Sequence, residues 1–192
     1  VLNKVGGNIS GKLKTENFIT EFDSKEDSPI QYEIAEAEAE IGRIDAMMKR
    51  IEKRWLPLTR CGADCLYENT REDGALKRIN EVSGEKPEFI SYCHAWTGAA
   101  TILLPREIAG IRPIEFGFKK AEIKPCLDIF KTFKCAVPSP YGEIAVKYEN
   151  NVFSGYIPEE IYAVIEIGES KTELPCGGSF EIDLARQTER KL

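Results

Sequence analysis

The sequence contains little histidine, little cysteine and no excess of positive charge. Its 192 residues include one histidine and six cysteines, and 32 acidic against 26 basic side chains give a net charge of −6. Six cysteines are about 3% of the chain, far below the density of a disulfide-built mini-domain, so we expect mostly buried free thiols. An acidic protein also offers no basic surface to a polyanion, which excludes nucleic acid from the expected partners.

Long apolar runs and targeting segments are also missing. The longest apolar run, Ala95 to Leu104, is about half of a bilayer span, and the first residues, VLNKVGGNIS, lack the regions of a signal peptide. Neither a membrane partner nor export is therefore predicted, and the compartment stays unknown, with the cytoplasm slightly favoured. The chain begins at Val1 instead of methionine, which indicates a processed chain, a trimmed one or a piece of a longer protein.

The first half of the sequence has helical periodicity, from Ser28 to about Ile111. Ser28 and Pro29 are typical of a helix N-terminus, and Gly42 is typical of a helix end. A second segment, IDAMMKRIEKRW, continues the pattern until Pro57. The apolar residues at helical spacing are Ile30, Ile34, Ala37, Ile41, Ile44, Met47 or Met48, Ile51 and Trp55. Together the segments predict an αα-hairpin with Trp55 in its core, while EIAEAEAEIGR is interpreted as a solvated acidic face.

A polar stretch and an apolar helix complete this half. Residues 59–89 are polar and contain several glycines, which is typical of a functional or disordered connection. The helix predicted from about Tyr92 to Ala109 is apolar on nearly all sides, so it should be buried, and Gly110 should end it.

The second half is predicted to be all β. Short, often alternating segments run from about Phe118 to Leu184, separated by turn signals such as Asn150-Asn151 and Gly177-Gly178. About six strands at this spacing predict a small antiparallel β-sandwich. The chain is therefore expected to have an α part, residues 1–112, and a β part, residues 113–192.

The single histidine lies in the cluster Cys93-His94-Ala95-Trp96, at the start of the apolar helix. On the residues alone, His94 is either a hydrogen-bonded core residue or a functional one. With Cys61 and Cys65 it also suggests a zinc or redox site. However, the Cys-x3-Cys spacing is loose, and neighbours 93 and 94 would point in different directions from a helix. We therefore predict no metal and no cofactor.

Three motifs, in order, resemble the C-terminal region of bacterial α-L-rhamnosidases, glycoside hydrolase family 78. CHAWTGAATILLPREIAGIRPIEFGFKKAEIKP resembles the last barrel helix of those enzymes, which opens on Cys-His-Ala-Trp or Cys-His-Gly-Trp and continues into Gly-Ile-Arg-Pro-Leu. SPIQYEIAEAEAEIGR resembles their Ser-Pro-Tyr helix ending in Gly-Arg, and VPSPYGEIAVKYE resembles their Val-Pro-Thr-Pro-His-Gly strand.

The resemblance implies the last hairpins of an (α/α)6 toroid over residues 1–112, followed by a C-terminal β-sandwich over 113–192. It also implies an inverting glycosidase that removes terminal rhamnose from glycosides by means of two carboxyl groups. The general base of the family is the glutamate of a Thr-Thr-x-Trp-Glu motif. The matching stretch, ADCLYE, gives that role to Glu68, with Tyr67 in place of the tryptophan and Ala63-Asp64 in place of the threonines.

Further site residues follow from the same resemblance. His94 matches the histidine that hydrogen-bonds the sugar, Tyr67 is a neighbouring substrate-binding candidate, and Trp96 either lines the pocket or packs. The motif that supplies the general acid, Asp-Glu-Arg-x-Gly-Trp, does not occur in the sequence. The isolated chain is therefore expected to be inactive, and its expected partners are a rhamnose-containing glycoside and the missing N-terminal part of the same enzyme or another copy.

Two other functions stay open alongside the glycosidase. One is a non-catalytic carbohydrate-binding or scaffolding module in which the sandwich does the binding; the other is the Cys/His metal or redox protein. The sequence does not identify the sugar, the aglycone or the oligomeric state.

Overall fold

The computed structural model describes residues 19, 28–67 and 93–185; for residues 28–30, 96 and 99 it describes the backbone alone. The chain divides into two compact units, Val1–Thr101 and Ile102–Leu192. The boundary at residue 112 between helical hairpins and β-sandwich, taken from the sequence, stays a prediction.

The first unit contains the predicted helical hairpin. Helix α1 spans Ser28–Glu40, α2 spans Ile44–Arg54 and a short α3 spans Leu56–Arg60. The turn after α1 is closed by Gly42, at φ +79°, and by hydrogen bonds from Gly42 N–H to Ala39 and from Arg43 N–H to Glu38. This pair of bonds is the Schellman arrangement, which needs a left-handed residue and so favours glycine. Pro57 lies in the first turn of α3, so the sequence reading missed a helix.

A buried polar cluster joins α1 to α2. The Arg50 guanidinium donates to both carboxylate oxygens of Glu38, at 3.0 and 2.7 Å, and to the Gln31 side-chain oxygen at 2.7 Å. Glu38 is only 3% exposed. The prediction of a solvated acidic face is therefore wrong at Glu38, because a residue of the facing helix neutralises it. The predicted face does hold at Glu33 and Glu40, which are exposed.

Apolar side chains of the hairpin pack beside this cluster. Those buried are Ile34, Ala35, Ala37, Ala39, Met47, Met48, Ile51, Trp55 and Leu58. Trp55 is thus a core residue, as its position on the apolar face of α2 predicted.

The apolar helix predicted to start near residue 92 is less regular than expected. It consists of a 3-10 helix, Ala95–Gly98, a short α4, Ala99–Leu103, and a π-helical turn, Leu104–Ile108. Pro105 has no N–H to donate to the preceding turn, which accounts for the irregular end. The expectation of burial on all sides is wrong at Ile102, which is 50% exposed. The part of the prediction before residue 93 lies outside the described residues.

The second unit contains two four-stranded sheets. Their strands are β1 Ile111–Pro113, β2 Lys120–Ile123, β3 Phe133–Ser139, β4 Gly142–Glu149, β5 Val152–Ile157, β6 Tyr162–Ile167, β7 Ser170–Leu174 and β8 Gly178–Asp183. One sheet has the order β1-β2-β6-β7 and the other β3-β4-β5-β8. The second sheet is antiparallel throughout, but β2 and β6 pair in parallel, which corrects the prediction of a purely antiparallel sandwich.

Both sheets contribute to one hydrophobic core. It includes Ile123, Ile161, Ala163 and Ile165 from around the first sheet and Ile144, Val146, Phe153 and Ile157 from the second. Side chains of the two inner faces therefore share one apolar layer, as in a β-sandwich.

The chain enters the sandwich through Gly110, at φ +75°. A Cβ at this position would lie 2.1 Å from the backbone carbonyl carbon and oxygen of Lys124, so no larger residue fits. Lys124 N–H donates to Gly110 O at 3.0 Å, and Cys126 N–H donates to Ile108 O at 2.9 Å. Next along the motif, Arg112 forms an ion pair with Glu107. The Gly-Ile-Arg-Pro motif thus consists of the glycine that follows the helical segment and of strand β1.

In the part of the protein that the structure describes, no helix has the length and apolar character needed to cross a membrane.

Candidate functional site

The predicted site residues lie at the two ends of the segment 68–92. Tyr67 is the last described residue before it, and His94 follows shortly after it, in the first unit. Glu68 lies outside the described residues, and only the backbone of Trp96 is described. The site is therefore built from two segments: the tyrosine segment, Leu66–Tyr67, and the histidine turn, His94–Gly98.

Two hydrogen bonds join the tyrosine segment to the histidine turn. The backbone N–H of His94 donates to the carbonyl oxygen of Leu66 at 2.7 Å. The hydroxyl of Thr97 donates to the carbonyl oxygen of Tyr67 at 3.1 Å. The two segments, which are distant in sequence, thereby lie side by side. Both backbone carbonyls of the tyrosine segment accept a hydrogen bond from the histidine turn.

Thr97 is the central residue of this arrangement. It is 2% exposed, its N–H donates to His94 O at 3.0 Å, and its own carbonyl oxygen accepts a hydrogen bond from the Trp55 indole N–H. Thr97 therefore connects α2, the tyrosine segment and the histidine turn. The sequence does contain a signal for Thr97, because it is a polar residue within an apolar run and a buried hydroxyl needs a hydrogen-bond partner. Thr97 was nevertheless not among the predicted site residues.

His94 is partly exposed. Its backbone is fixed on both sides, by its N–H to Leu66 and by the Thr97 N–H to its carbonyl. A partly exposed imidazole on a fixed backbone can contact a ligand while its position is set by the fold.

Tyr67 and Cys65 share an environment that favours their neutral forms. Burial raises the pKa of the Tyr67 phenol, and the nearby Cys65 and Asp64 side chains raise it further. Burial likewise raises the pKa of the Cys65 thiol, reinforced by Asp64 and by Cys93. At neutral pH Tyr67 is thus a phenol, which both donates and accepts hydrogen bonds.

The cysteines of the site do not form a metal centre with His94. Among residues 28–67 and 93–185, no three His, Cys, Asp or Glu side chains are grouped so that they could hold a metal ion. The six cysteines form no disulfide in this structure. The prediction of buried thiols is wrong, because Cys61, Cys93 and Cys176 are exposed and the other three are partly exposed.

A second feature lies on the outer face of the β3-β4-β5-β8 sheet. A shallow concavity of about 350 Å³ is lined there by residues of β3, β4 and β5, including Ala136, Ala145, Lys147, Ser154 and Tyr156. Tyr156 is 48% exposed, and Ala145 is its register partner on β4. Because Ala145 is small, the neighbouring ring of Tyr156 is accessible from the solvent side of the sheet.

A protein-family model matches part of the second unit. Residues 110–160 match the family model of the bacterial alpha-L-rhamnosidase C-terminal domain. The match begins at Gly110, the position at which a Cβ would collide with the backbone of Lys124. No curated protein matches the chain.

Solved structures of similar fold extend over more of the sequence. The native α-L-rhamnosidase of Aspergillus terreus aligns over 90% of this protein with a TM-score of 0.65 and 18% identity. The Streptomyces avermitilis α-L-rhamnosidase, in complex with L-rhamnose, aligns over 91% with 0.63 and 16%. The family 78 rhamnosidase of Bacillus sp. GL1 aligns over 74% with 0.54 and 20%. At such identities the likeness is one of fold.

The chain spans only a small part of these proteins: 21% of the Aspergillus enzyme, 19% of the Streptomyces enzyme and 15% of the Bacillus enzyme. The resemblance to the C-terminal portion of bacterial α-L-rhamnosidases, predicted from three sequence motifs, is confirmed by the family match and by these structures.

Proposed function

We propose that the protein is the C-terminal part of an inverting glycoside hydrolase of the α-L-rhamnosidase type. Residues 1–112 then contribute the last hairpins of an (α/α)6 toroid, and residues 113–192 form the terminal sandwich. The family match over 110–160 and the fold likeness to about one fifth of two rhamnosidases support this assignment. The remaining part of the enzyme, or another copy, is the expected partner, and a rhamnose-containing glycoside is the expected substrate.

Within that enzyme we assign Glu68 as general base and His94, Tyr67 and Trp96 as substrate-binding residues. The supporting observation is the pair of hydrogen bonds that joins the tyrosine segment to the histidine turn. Tyr67, the residue before Glu68, is held by Thr97 on the turn that His94 opens. A base and a sugar-binding histidine have to reach the same substrate, and this anchoring is what such an arrangement requires.

The proposed chemistry uses two carboxyl groups. In inversion, one carboxylic acid protonates the leaving oxygen while a carboxylate activates a water on the opposite face of the sugar. Glu68 takes the second role and receives the proton of that water. His94 and the neutral Tyr67 hydrogen-bond sugar hydroxyls. The acid comes from the remainder of the enzyme, because its motif does not occur in these 192 residues.

Replacing Glu68 by glutamine in the full-length enzyme tests the base. Glutamine keeps the shape but not the basicity, so kcat should fall by roughly two to four orders of magnitude while the melting temperature stays unchanged. Glu52→Gln is the matched control, because Glu52 is an exposed residue of α2. A Glu68→Gln enzyme with the kcat of the parent would remove Glu68 from the mechanism.

A second candidate is a non-catalytic carbohydrate-binding module, favoured by the concavity beside Tyr156. An exposed aromatic ring with polar Ser154 and Lys147 nearby is suited to a sugar, which has an apolar face and hydroxyl groups. On this hypothesis the 192-residue protein binds a rhamnoside, and Tyr156→Ala removes the binding. If His94→Ala removes it instead, the binding belongs to the proposed catalytic site.

A further inference from the structure

Two cysteines flank the hydrogen bond that joins the tyrosine segment to the histidine turn. Cys65 precedes Leu66, Cys93 precedes His94, and the His94 N–H donates to Leu66 O at 2.7 Å. Each cysteine is thus the direct neighbour, with about 3.8 Å between Cα atoms, of a residue whose backbone is hydrogen-bonded to the other segment. Disulfides join cysteines whose Cα atoms are about 4.4–6.8 Å apart, and this hydrogen bond holds together the two backbone segments that carry Cys65 and Cys93.

The two thiols differ in accessibility, and they interact. Cys93 is exposed and Cys65 is partly exposed. Burial raises the pKa of Cys65, Asp64 raises it further through a hydrogen bond and its charge, and the charge of Cys93 adds to this effect. Cys61, the other nearby cysteine, donates instead to Leu58 O at 3.3 Å, within its own helical turn.

We propose that Cys65 and Cys93 form a reversible disulfide when the protein meets a low-molecular-weight disulfide such as oxidised glutathione. This inference does not depend on the role of Glu68. It concerns a modification site of the first unit, whose reactant is a small disulfide and whose product links the tyrosine segment covalently to the histidine turn.

The reaction proceeds in two exchange steps. The exposed Cys93 loses its proton to solvent and attacks one sulfur of oxidised glutathione, which breaks that S–S bond and releases one glutathione thiolate. Cys65 then loses its proton and attacks the Cys93 sulfur of the mixed disulfide, releasing the second glutathione thiolate. The two protein thiols are oxidised to one disulfide, one glutathione disulfide is reduced to two thiols, and those thiols take up the two protons.

The order of the steps follows from exposure. A thiolate is the attacking species, and a bulky reagent reaches an exposed thiol more readily than a partly exposed one. Cys93 therefore reacts first with the bulky reagent. Cys65 needs only to reach a sulfur that is already beside it.

Peptide mapping of the whole protein tests the pairing. The native protein is equilibrated in a glutathione redox buffer, its remaining thiols are alkylated, and it is digested with trypsin without reduction. Cleavage after Arg60, Arg71, Arg78 and Arg106 leaves Cys61 and Cys65 in residues 61–71 and Cys93 in residues 79–106. We expect these two peptides to be linked, with two hydrogens lost and no glutathione retained.

Single serine variants identify the atoms involved. Cys65→Ser and Cys93→Ser should each lose the linked peptide, while Cys61→Ser and the distant Cys176→Ser should keep it. Cys65→Ser should also retain one glutathione on Cys93, because the second step is blocked.

Three results would overturn the proposal. The first is a link that passes through Cys61 and survives in Cys65→Ser. The second is a native protein that stays reduced in a buffer that oxidises a reference dithiol peptide. The third is a link that forms equally in denaturant, where the fold cannot guide the pairing. Serine variants that do not fold would be recognised by circular dichroism. In that case fragmentation of the linked peptide from the parent protein by tandem mass spectrometry assigns the bond to Cys65 or to Cys61.

Discussion

The indole N–H of Trp55 donates a hydrogen bond to the backbone carbonyl oxygen of Thr97, which ties α2 to the histidine turn. Both residues are buried, at 6% and 2% exposure, so water does not replace a lost partner. One side chain of the helical hairpin thereby helps to fix the segment that carries His94.

Trp55→Phe should destabilise the protein through this hydrogen bond. Phenylalanine keeps an aromatic ring but leaves the Thr97 carbonyl without its donor, which costs about 1–3 kcal/mol. Urea unfolding followed by the fluorescence of the remaining Trp96 measures the change in free energy. The control is Tyr156→Phe, which removes a polar group at an exposed position and should change stability by less than about 0.5 kcal/mol. Equal stability of Trp55→Phe and the parent would mean that the bond contributes nothing.

Arg50→Met should be more harmful, because it leaves the Glu38 carboxylate buried and unpaired. Removing one partner of a buried ion pair typically costs about 3–5 kcal/mol, whereas replacing both partners by apolar residues costs much less. We therefore expect the double variant Arg50→Met/Glu38→Met to be more stable than Arg50→Met alone. Lys49→Met, at an exposed position of the same helix, controls for the loss of a positive charge. A double variant less stable than Arg50→Met would contradict the explanation.

Gly110→Ala and Gly168→Ala separate backbone conformation from steric contact. Both glycines have positive φ, +75° and +58°, but a Cβ at Gly110 meets the Lys124 backbone at 2.1 Å, while one at Gly168 meets nothing within 4 Å. Gly168→Ala should cost about 1–2 kcal/mol for the left-handed conformation alone. Gly110→Ala should cost clearly more, or prevent folding of the sandwich. Thermal unfolding followed at a β-sheet wavelength compares the two, and equal losses would show that the Lys124 backbone yields.

The sequence predicted those features that are set locally. Ser28-Pro29 and Gly42 bound the first helix because they meet the backbone requirements of its two ends, and Gly110 was recognised as the end of the apolar segment for the same reason. The acidic pattern of α1 misled at Glu38, because the residue that makes its burial possible, Arg50, lies on another helix. No local pattern shows that pairing.

Strand direction and the contacts of the site depended on tertiary structure in the same way. Three consecutive residues of β6, Ala163, Val164 and Ile165, are buried, a pattern typical of a central strand with a parallel neighbour. The three apolar residues in a row are visible in the sequence, but the many short segments and turns favour an antiparallel sandwich. The family resemblance implies that Tyr67 and His94 belong to one site. One of the two hydrogen bonds that join the tyrosine segment to the histidine turn comes from Thr97, and no local pattern in its apolar run identifies the partner of its hydroxyl.

The isolated 192-residue protein should not hydrolyse an aryl α-L-rhamnoside. Without the general acid, a two-carboxylate mechanism loses several orders of magnitude in rate. Release of the aryl alcohol, followed by absorbance at high protein concentration, measures this directly. Saturable turnover by the purified protein would instead indicate that one of its own carboxyl groups serves as the acid.

Thr97→Val in the full-length enzyme tests whether the tyrosine segment positions the proposed base. Valine keeps the branched shape of threonine but cannot donate to the Tyr67 carbonyl, which Thr97 contacts at 3.1 Å. A small displacement of Glu68 should lower kcat by roughly ten- to a hundredfold, with a smaller change in KM. Thr101→Val is the matched control, because the Thr101 hydroxyl donates to Gly98 O at 2.6 Å, within the helical segment itself, and not to a carbonyl of the tyrosine segment.

A double-variant cycle with Glu68→Gln distinguishes positioning from a general loss of structure. If Thr97 acts through Glu68, then Glu68→Gln/Thr97→Val should be no slower than Glu68→Gln alone, since the group being positioned is already inactive. If the two losses in kcat multiply, Thr97 supports the enzyme in another way, and the hydrogen bond to Tyr67 does not hold the base in place. Melting temperatures of all four enzymes, measured in parallel, show whether unfolding contributes to either result.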